Sequence, residues 1–227
     1  MHAGADQAQQ WLREVKREHG RVYVLKADIA KYFPSIDHQV LLDMLGQRIA
    51  CERTMGLASD IVDSWHPGLP IGNLTSQLWA NVYLHELDSF VKQQLRVRRY
   101  IRYMDDWLII HHDKVYLHEL RRILEEWLWD RLRLRLNNKT QVFPVAARRG
   151  RALDFLGYRM WCTHRRLRGD SVKRMERRLK DLQQGYTEGL IELSDVRQRV
   201  ASWLGHASHA DSFRIREKLL ARATFCR

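Results

Sequence analysis

The 227-residue chain has no apolar run near the ~20 residues a membrane-crossing helix needs, and no signal-peptide-like apolar core near its start. The expectation is a cytoplasmic protein with no membrane partner. Cysteine is scarce. Cys51, Cys162 and Cys226 are odd in number, far apart and outside any C-x-x-C spacing, so neither a disulfide framework nor a zinc knuckle is indicated. His111-His112 and the His206/His209 pair lack a Cys or carboxylate at ligand spacing and read as surface histidines. No internal repeat or low-complexity segment is present.

What is there is a globular composition with a strong bias of charge. Hydrophobic residues make up 45% and charged ones 29%, enough for a buried core. Lys and Arg number 39 against 27 Asp and Glu, giving a net charge of +12 and a pI near 10.0. An excess of that size favours a polyanionic partner, nucleic acid before a membrane surface.

Residues 5 to about 18 carry Ala8, Trp11, Leu12 and Val15 at helical spacing, ended by Gly20. Residues 21–28 are rich in β-branched and aromatic residues and predict a buried strand. Asp37 is a good N-cap for a helix with Val40, Leu41, Met44 and Leu45 on one face. Residues 66–72 form a Pro/Gly loop, followed by a helix from about Thr75 to Leu95 with a stripe of Leu78, Val82, Leu87, Val91 and Leu95. Tyr100–Tyr103 and Trp107–His111 flank Met104-Asp105-Asp106, a hairpin pattern with an acidic tip. A helix over 116–130 and short strands at 132–136, 141–145 and 153–161 come next. From Ser171 onward the chain reads as wholly helical, with Val172, Met175, Leu179 and Leu182 on one face of the first helix. The order predicts an α+β fold, an antiparallel sheet with helices on one face and then a helical appendage.

The chemistry concentrates in an aspartate ending a buried strand, Asp28, and a double aspartate at a hairpin tip, Asp105 and Asp106. Phosphoryl transfer to a 3′-hydroxyl needs two hard cations roughly 3.5–4 Å apart. Magnesium takes oxygen ligands and accepts one or two protein carboxylates, leaving room for water and phosphates. Carboxylates on neighbouring strand ends meet that demand and are held rigidly. Adjacent residues in extended chain face opposite sides, so one of Asp105 and Asp106 should be the principal ligand.

Tyr103-Met104-Asp105-Asp106 between apolar strands resembles the polymerase motif of reverse transcriptases. Residues 24–37 resemble their first metal-binding motif, in the version of group II introns, retrons and their bacterial relatives. The likeness implies a polymerase palm over 1–165, with a remnant of the fingers–palm junction at 1–20, and a helical thumb over 166–227. It implies that Asp28 and Asp105 are the chief Mg²⁺ ligands (two ions, with Mn²⁺ a substitute), that Asp106 assists and that the Ile29 carbonyl completes a metal shell. Phe33 falls at the position of the family's steric gate, which selects deoxynucleotides. The loop Gly68-Leu69-Pro70-Ile71-Gly72-Asn73-Leu74-Thr75-Ser76-Gln77 is similar to that of diversity-generating retroelements, whose enzymes copy RNA with errors at adenines. Ile71 stands where most bacterial relatives have glutamine. Pro70, Ile71, Gly72 and Gln77 are thereby implied nucleotide contacts, with Gly68 and Gly72 allowing close backbone approach to the nucleotide.

Lys139, in Leu136-Asn137-Asn138-Lys139-Thr140, matches a segment whose lysine protonates the leaving pyrophosphate. Phe155, Leu156, Gly157 and Tyr158 match the primer grip. Lys173, Arg174, Arg177 and Arg178 fit a thumb that tracks duplex phosphates; a solvated charged face explains them almost as well. The implied partners are an RNA template, a DNA or RNA primer, dNTPs and a small basic helical-bundle accessory protein. The family's fingers begin before the equivalent of His2, and nothing here matches them. The chain is therefore expected to be truncated, completed by another polypeptide, or catalytically impaired. No endonuclease, integrase or RNase H motif is visible. A group II intron-like or retron-like enzyme, and a fingerless nucleic-acid-binding module, are the competing readings.

Overall fold

A computed structural model of the chain describes residues 2–146, 148 and 150–226. The elements run α1 (His2–His19), β1 (Tyr23–Ala27), α2 (His38–Gly46), α3 (Glu52–Asp63), α4 (Leu74–Ser89), β2 (Tyr100–Tyr103), β3 (Asp106–His111) and α5 (Lys114–Leu132). They continue with β4 (Gln141–Pro144), β5 (Leu153–Phe155), β6 (Tyr158–Met160), β7 (Arg165–Leu167), α6 (Gly169–Thr187), α7 (Leu193–Ser208) and α8 (Phe213–Leu220). None of these helices is long and apolar enough to cross a membrane. Glu18–Pro144 packs as one compact unit, and the stretches before and after it form a second. These bounds follow packing, whereas the 165/166 boundary in the sequence reading divides by role.

The first unit is the predicted antiparallel sheet with helices on one face. Its strand order is β2-β3-β1-β4, so β1 lies inside the sheet, hydrogen-bonded on both sides. Side chains alternate across a strand. Leu25 and Ala27 of β1, with Trp107 and Ile109 of β3, face the helices and form one core with Leu41, Ala58, Tyr83, Leu87, Leu124 and Leu128. Lys26, and Asp28 beyond the strand end, therefore face the other way. Asp37 caps α2 by accepting from the Val40 amide at 3.0 Å, as its position predicts.

Three details differ from the sequence expectations. The buried face of α4 is Ser76, Trp79, Ala80, Tyr83, Leu84 and Leu87, whereas Leu78 is 60% exposed. The helix continues to Gln94 as a π-turn, near the predicted end. Residues 132–136 do not form a strand. Leu132 closes α5, Arg133 turns left-handed at φ 53°, and Leu136 alone bridges to Ile29. α3 was not anticipated, because only Ala58 and Val62 of its twelve residues are buried.

In the second unit, the strand expected over 153–161 is a hairpin. β5 and β6 pair around Leu156-Gly157, both at positive φ (52° and 85°), which is the backbone of a tight two-residue hairpin turn. β7, also not anticipated, extends this sheet. α1 buries Ala5, Ala8, Leu12 and Val15 at the predicted spacing. The residues beyond Ser171 are helical as expected, and Met175 and Leu179 of α6 pack with Leu219 of α8.

Candidate active site

The site grows from strand register. Ala27 pairs with Trp107 and Tyr103 pairs with Asp106, so the next pairing along β1 sets Asp28 beside the tip that carries Asp105 and Asp106. Three carboxylates, one of them 77 or more positions from the other two in the chain, thus converge at one sheet end. Asp28 and Asp105 are close enough to share a hydrogen bond. Asp106 turns to Lys26, whose Nζ stands 3.3 Å from Oδ2. The two adjacent aspartates thus have different neighbours.

The electrostatics are unfavourable without a cation. Burial, and then the Asp105 charge, push the Asp28 carboxyl above its ordinary range, with Lys26 opposing. Burial also pushes up Asp106, against the pull of Lys26. Oδ1 of Asp106 is buried without a hydrogen-bond partner. Among the described residues, no group of three or more His, Cys, Asp or Glu side chains forms a ready-made metal cage.

Asp28 is braced by a residue that sequence reasoning passed over. The Asn137 amide donates to the Asp28 carbonyl at 2.7 Å, and its Nδ2 donates to Oδ2 at 3.3 Å. The Asn137 side-chain oxygen also accepts from the Lys139 amide at 3.0 Å, which brings the exposed Lys139 into the same segment. Lys26 was likewise missed. No local motif marks either residue, since each acts on a carboxylate reached only through folding. Ile29 is 2% exposed and bridges to Leu136.

Phe33 opens a single 3₁₀ turn, half-buried, with its ring 5.7 Å from that of Tyr32. The Leu69 amide donates to the Phe33 carbonyl at 2.9 Å, and His38 meets the Gly68 carbonyl at 2.8 Å. These bonds fix the 66–72 loop against the Phe33 turn. Gly68 has φ 66°, and a Cβ there would lie 2.1 Å from the Phe33 carbonyl oxygen. The close approach at Gly68 is therefore to the chain's own backbone, whereas Gly72 has open space around it at φ 96°. Ile71 is 80% exposed. Pro70 is half-buried, and Gln77 is exposed on the first turn of α4.

In the second unit, Phe155 and Tyr158 are fully buried, and Leu156 and Gly157 form the turn between them. The Tyr158 hydroxyl meets Nδ1 of His2 at 2.9 Å and Nδ1 of His206 at 3.1 Å, so His206 is a packing residue and not the free surface histidine expected. Lys173, Arg174, Arg177 and Arg178 all lie on α6, and all four are exposed.

Comparison with known proteins agrees with this geometry. The family profile of reverse transcriptases (RNA-dependent DNA polymerases) matches residues 2–160. The group II intron-encoded protein LtrA of Lactococcus lactis is 33% identical over 93 residues, 36% of this chain and 16% of that protein. Protein YkfC of Escherichia coli is 24% identical over 181 residues, 61% of this chain and 46% of that protein. The match thus spans less than half the length of either relative. Among solved structures, telomerase from Candida tropicalis, in complex with a fragment of telomeric RNA, aligns with a TM-score of 0.59 at 14% identity. That alignment covers 88% of this chain and 40% of the telomerase chain. Telomerase from Candida albicans aligns with a TM-score of 0.56 at 12% identity, over 98% of this chain and 44% of that one. These likenesses establish a shared fold. With its two motif strands, its acidic hairpin tip and a profile match over most of its length, the chain belongs to the reverse transcriptase family.

Proposed function

We propose that the chain carries the palm and thumb of an RNA-directed DNA polymerase that extends a primer on an RNA template. The observation that carries this reading is the meeting of Asp28 with the Asp105-Asp106 tip. An all-oxygen donor set suits magnesium. The unpartnered, buried Oδ1 of Asp106 and the raised Asp28 and Asp106 carboxyls fit a site completed by positive charge. Asp28 and Asp105 would hold two Mg²⁺, or Mn²⁺ in their place, with Asp106 and the Ile29 carbonyl assisting. When bound, such a pair lowers the pKa of an attacking 3′-hydroxyl and neutralises a leaving pyrophosphate.

The chain's own residues do the rest. Asn137 and Lys26 orient the carboxylates. Lys139 would give a proton to the leaving group. The Phe33 ring excludes a ribose 2′-hydroxyl, and the loop at Pro70, Ile71 and Gly72, with Gln77, shapes the nucleotide pocket. Leu156 and Gly157, on the buried base of Phe155 and Tyr158, steady the primer end. Primer extension on RNA with Mg²⁺ and dNTPs tests the reading. Synthesis should be lost in the Asp105→Ala/Asp106→Ala variant, and equal synthesis by both chains would remove the assignment.

The loop wording supports a finer reading, an error-prone enzyme of a diversity-generating retroelement. Ile71 offers shape without hydrogen bonds, so it separates correct from incorrect pairs by less energy than glutamine would. Ile71→Gln should lower misincorporation opposite adenine by roughly 5–10-fold, about 1 kcal/mol of discrimination, in a sequenced extension product. An unchanged error spectrum would leave the loop without that role. The 33% identity to a group II intron-encoded protein favours a second reading, an intron-type enzyme with a divergent loop. A template repeat beside a variable gene, against an intron around the coding sequence, separates the two.

On α6, replacing Arg174, Arg177 and Arg178 together by alanine should weaken duplex binding. The log–log salt slope should become shallower by about 2–3, close to one for each phosphate left without its arginine. Binding that does not respond to salt would assign these arginines to a solvated face.

A further inference from the structure

The hairpin tip has a support that the metal-ligand reading does not use. Met104, immediately before the two aspartates, has φ 56°, a left-handed conformation that residues with a Cβ avoid. Such strain persists where surrounding contacts over-determine it. Here the contacts come from Arg102 of β2. Its Nη1 donates to the Met104 carbonyl at 3.0 Å and to Oδ1 of Asn81 at 3.3 Å. Its Nε and Nη2 donate to the two carboxylate oxygens of Asp88 at 2.8 Å and 2.5 Å, a two-point fork that only a guanidinium makes.

Asp88 lies in the last turn of α4 and also accepts from the Tyr100 hydroxyl at 2.8 Å. Asn81, earlier on α4, donates to the Gln77 carbonyl at 3.1 Å and approaches the Met104 sulfur at 3.6 Å. Arg102 pairs across the hairpin with Trp107, so it sits on the helix-facing side, away from the carboxylates. Its side chain is only 11% exposed. Buried ion pairs lose much of their attraction to desolvation and add little to stability as such. A bidentate pair that also grips a strained carbonyl fits a geometric task better.

We propose that Arg102, Asp88 and Asn81 are positioning residues that clamp the Met104 turn to α4 and so hold Asp105 within reach of Asp28. The inference rests on the reading of Asp28 and Asp105 as cation ligands. Arg102→Lys keeps the charge but cannot make the fork and the bond to the carbonyl together; Asp88→Asn keeps the shape and removes the charge. Either should weaken binding of Mn²⁺ alone, followed by electron paramagnetic resonance on the full chain without nucleotide, by about tenfold. The Mg²⁺ midpoint for primer extension should rise by a similar factor, with the KM for dNTP little changed.

Asn81→Ala, at an exposed position, removes one hydrogen bond to Arg102 and should shift Mn²⁺ binding by roughly threefold. It serves where the buried variants do not fold. A lower melting temperature with unchanged Mn²⁺ affinity, in Arg102→Lys or in Asn81→Ala where only that variant folds, would make the cluster merely structural and overturn the inference. Asp105→Asn separates the two levels. If it leaves Mn²⁺ binding intact, the cation reading itself fails; if it abolishes binding while the clamp variants do not alter it, only the positioning role fails.

Discussion

Replacing Asp28 by asparagine should reduce primer extension by at least about 10³-fold, or roughly 4 kcal/mol of transition-state stabilisation, without unfolding the chain. The two halves of that result have different causes. The substitution removes one of the negative charges that would meet a cation pair, and no neighbouring group can replace it, because Asp106 is already turned toward Lys26. The fold, by contrast, gains nothing from the charge. The Asp28 carboxyl is pushed up by burial and by Asp105, so its ionised form is less at ease in the folded chain than in the unfolded one. The sign follows from proton linkage. A carboxyl with a raised folded pKa favours folding below its unfolded pKa, and that contribution fades as pH rises through the folded pKa. At neutral pH the neutral amide is therefore the easier group to accommodate, and it retains an oxygen for Asn137 Nδ2. Thermal melting in chelator should show an unchanged or slightly higher midpoint, while extension in Mg²⁺ is lost. A lowered midpoint would make Asp28 a structural residue.

Gly68→Ala should have the largest effect on stability of any single-methyl addition in the first unit. A Cβ there would meet the Phe33 carbonyl oxygen at 2.1 Å and Pro34 backbone atoms at 2.6 Å and 2.7 Å. These are main-chain atoms, so no side-chain rotation relieves the overlap. The left-handed backbone adds roughly 1–2 kcal/mol of its own, and the total should reach about 3 kcal/mol or more. At roughly 2–4 °C per kcal/mol for a chain of this size, the melting temperature should fall by about 6–12 °C. Gly72→Ala is the matched comparison. It carries φ strain alone, with no atom within 4 Å of the added carbon, so its loss should be the smaller by at least half. Because the loop and the Phe33 turn share the bond from Leu69, folded Gly68→Ala protein should also discriminate less between deoxy- and ribonucleotides. Equal melting losses at the two glycines would show that the close packing at Gly68 is not maintained in solution.

The strands and the acidic tip were legible because their signals are local. Residues 21–28 are rich in β-branched and aromatic residues, and the two runs around Met104-Asp105-Asp106 have a hairpin's length and wording. Asp37 announced its helix for the same reason, as a capping oxygen acts within three residues. The stripe of α4 was misplaced because that helix carries apolar side chains nearly all round. Leu74 and Leu78 are as hydrophobic as Leu84 and Leu87, yet they face solvent. The hairpin at 153–161 was hidden by its own turn, since Leu at positive φ is not a turn signal, and the glycine after it was read as strand. The polar framework of the site was illegible for a different reason. Asn137 lies 109 positions from Asp28, and Arg102 reaches Asp88 on another element, so only the folded chain reveals which amide or guanidinium serves which carboxylate.

The interior place of β1 has a consequence for how the sheet opens. A strand bonded along both edges exchanges its amide protons only when the sheet opens, and Val24 to Lys26 are paired in this way on both sides. β2, by contrast, is an outer strand of four residues with a single neighbour. The amides of β1 should therefore outlast those on the open edge of β2 in hydrogen exchange.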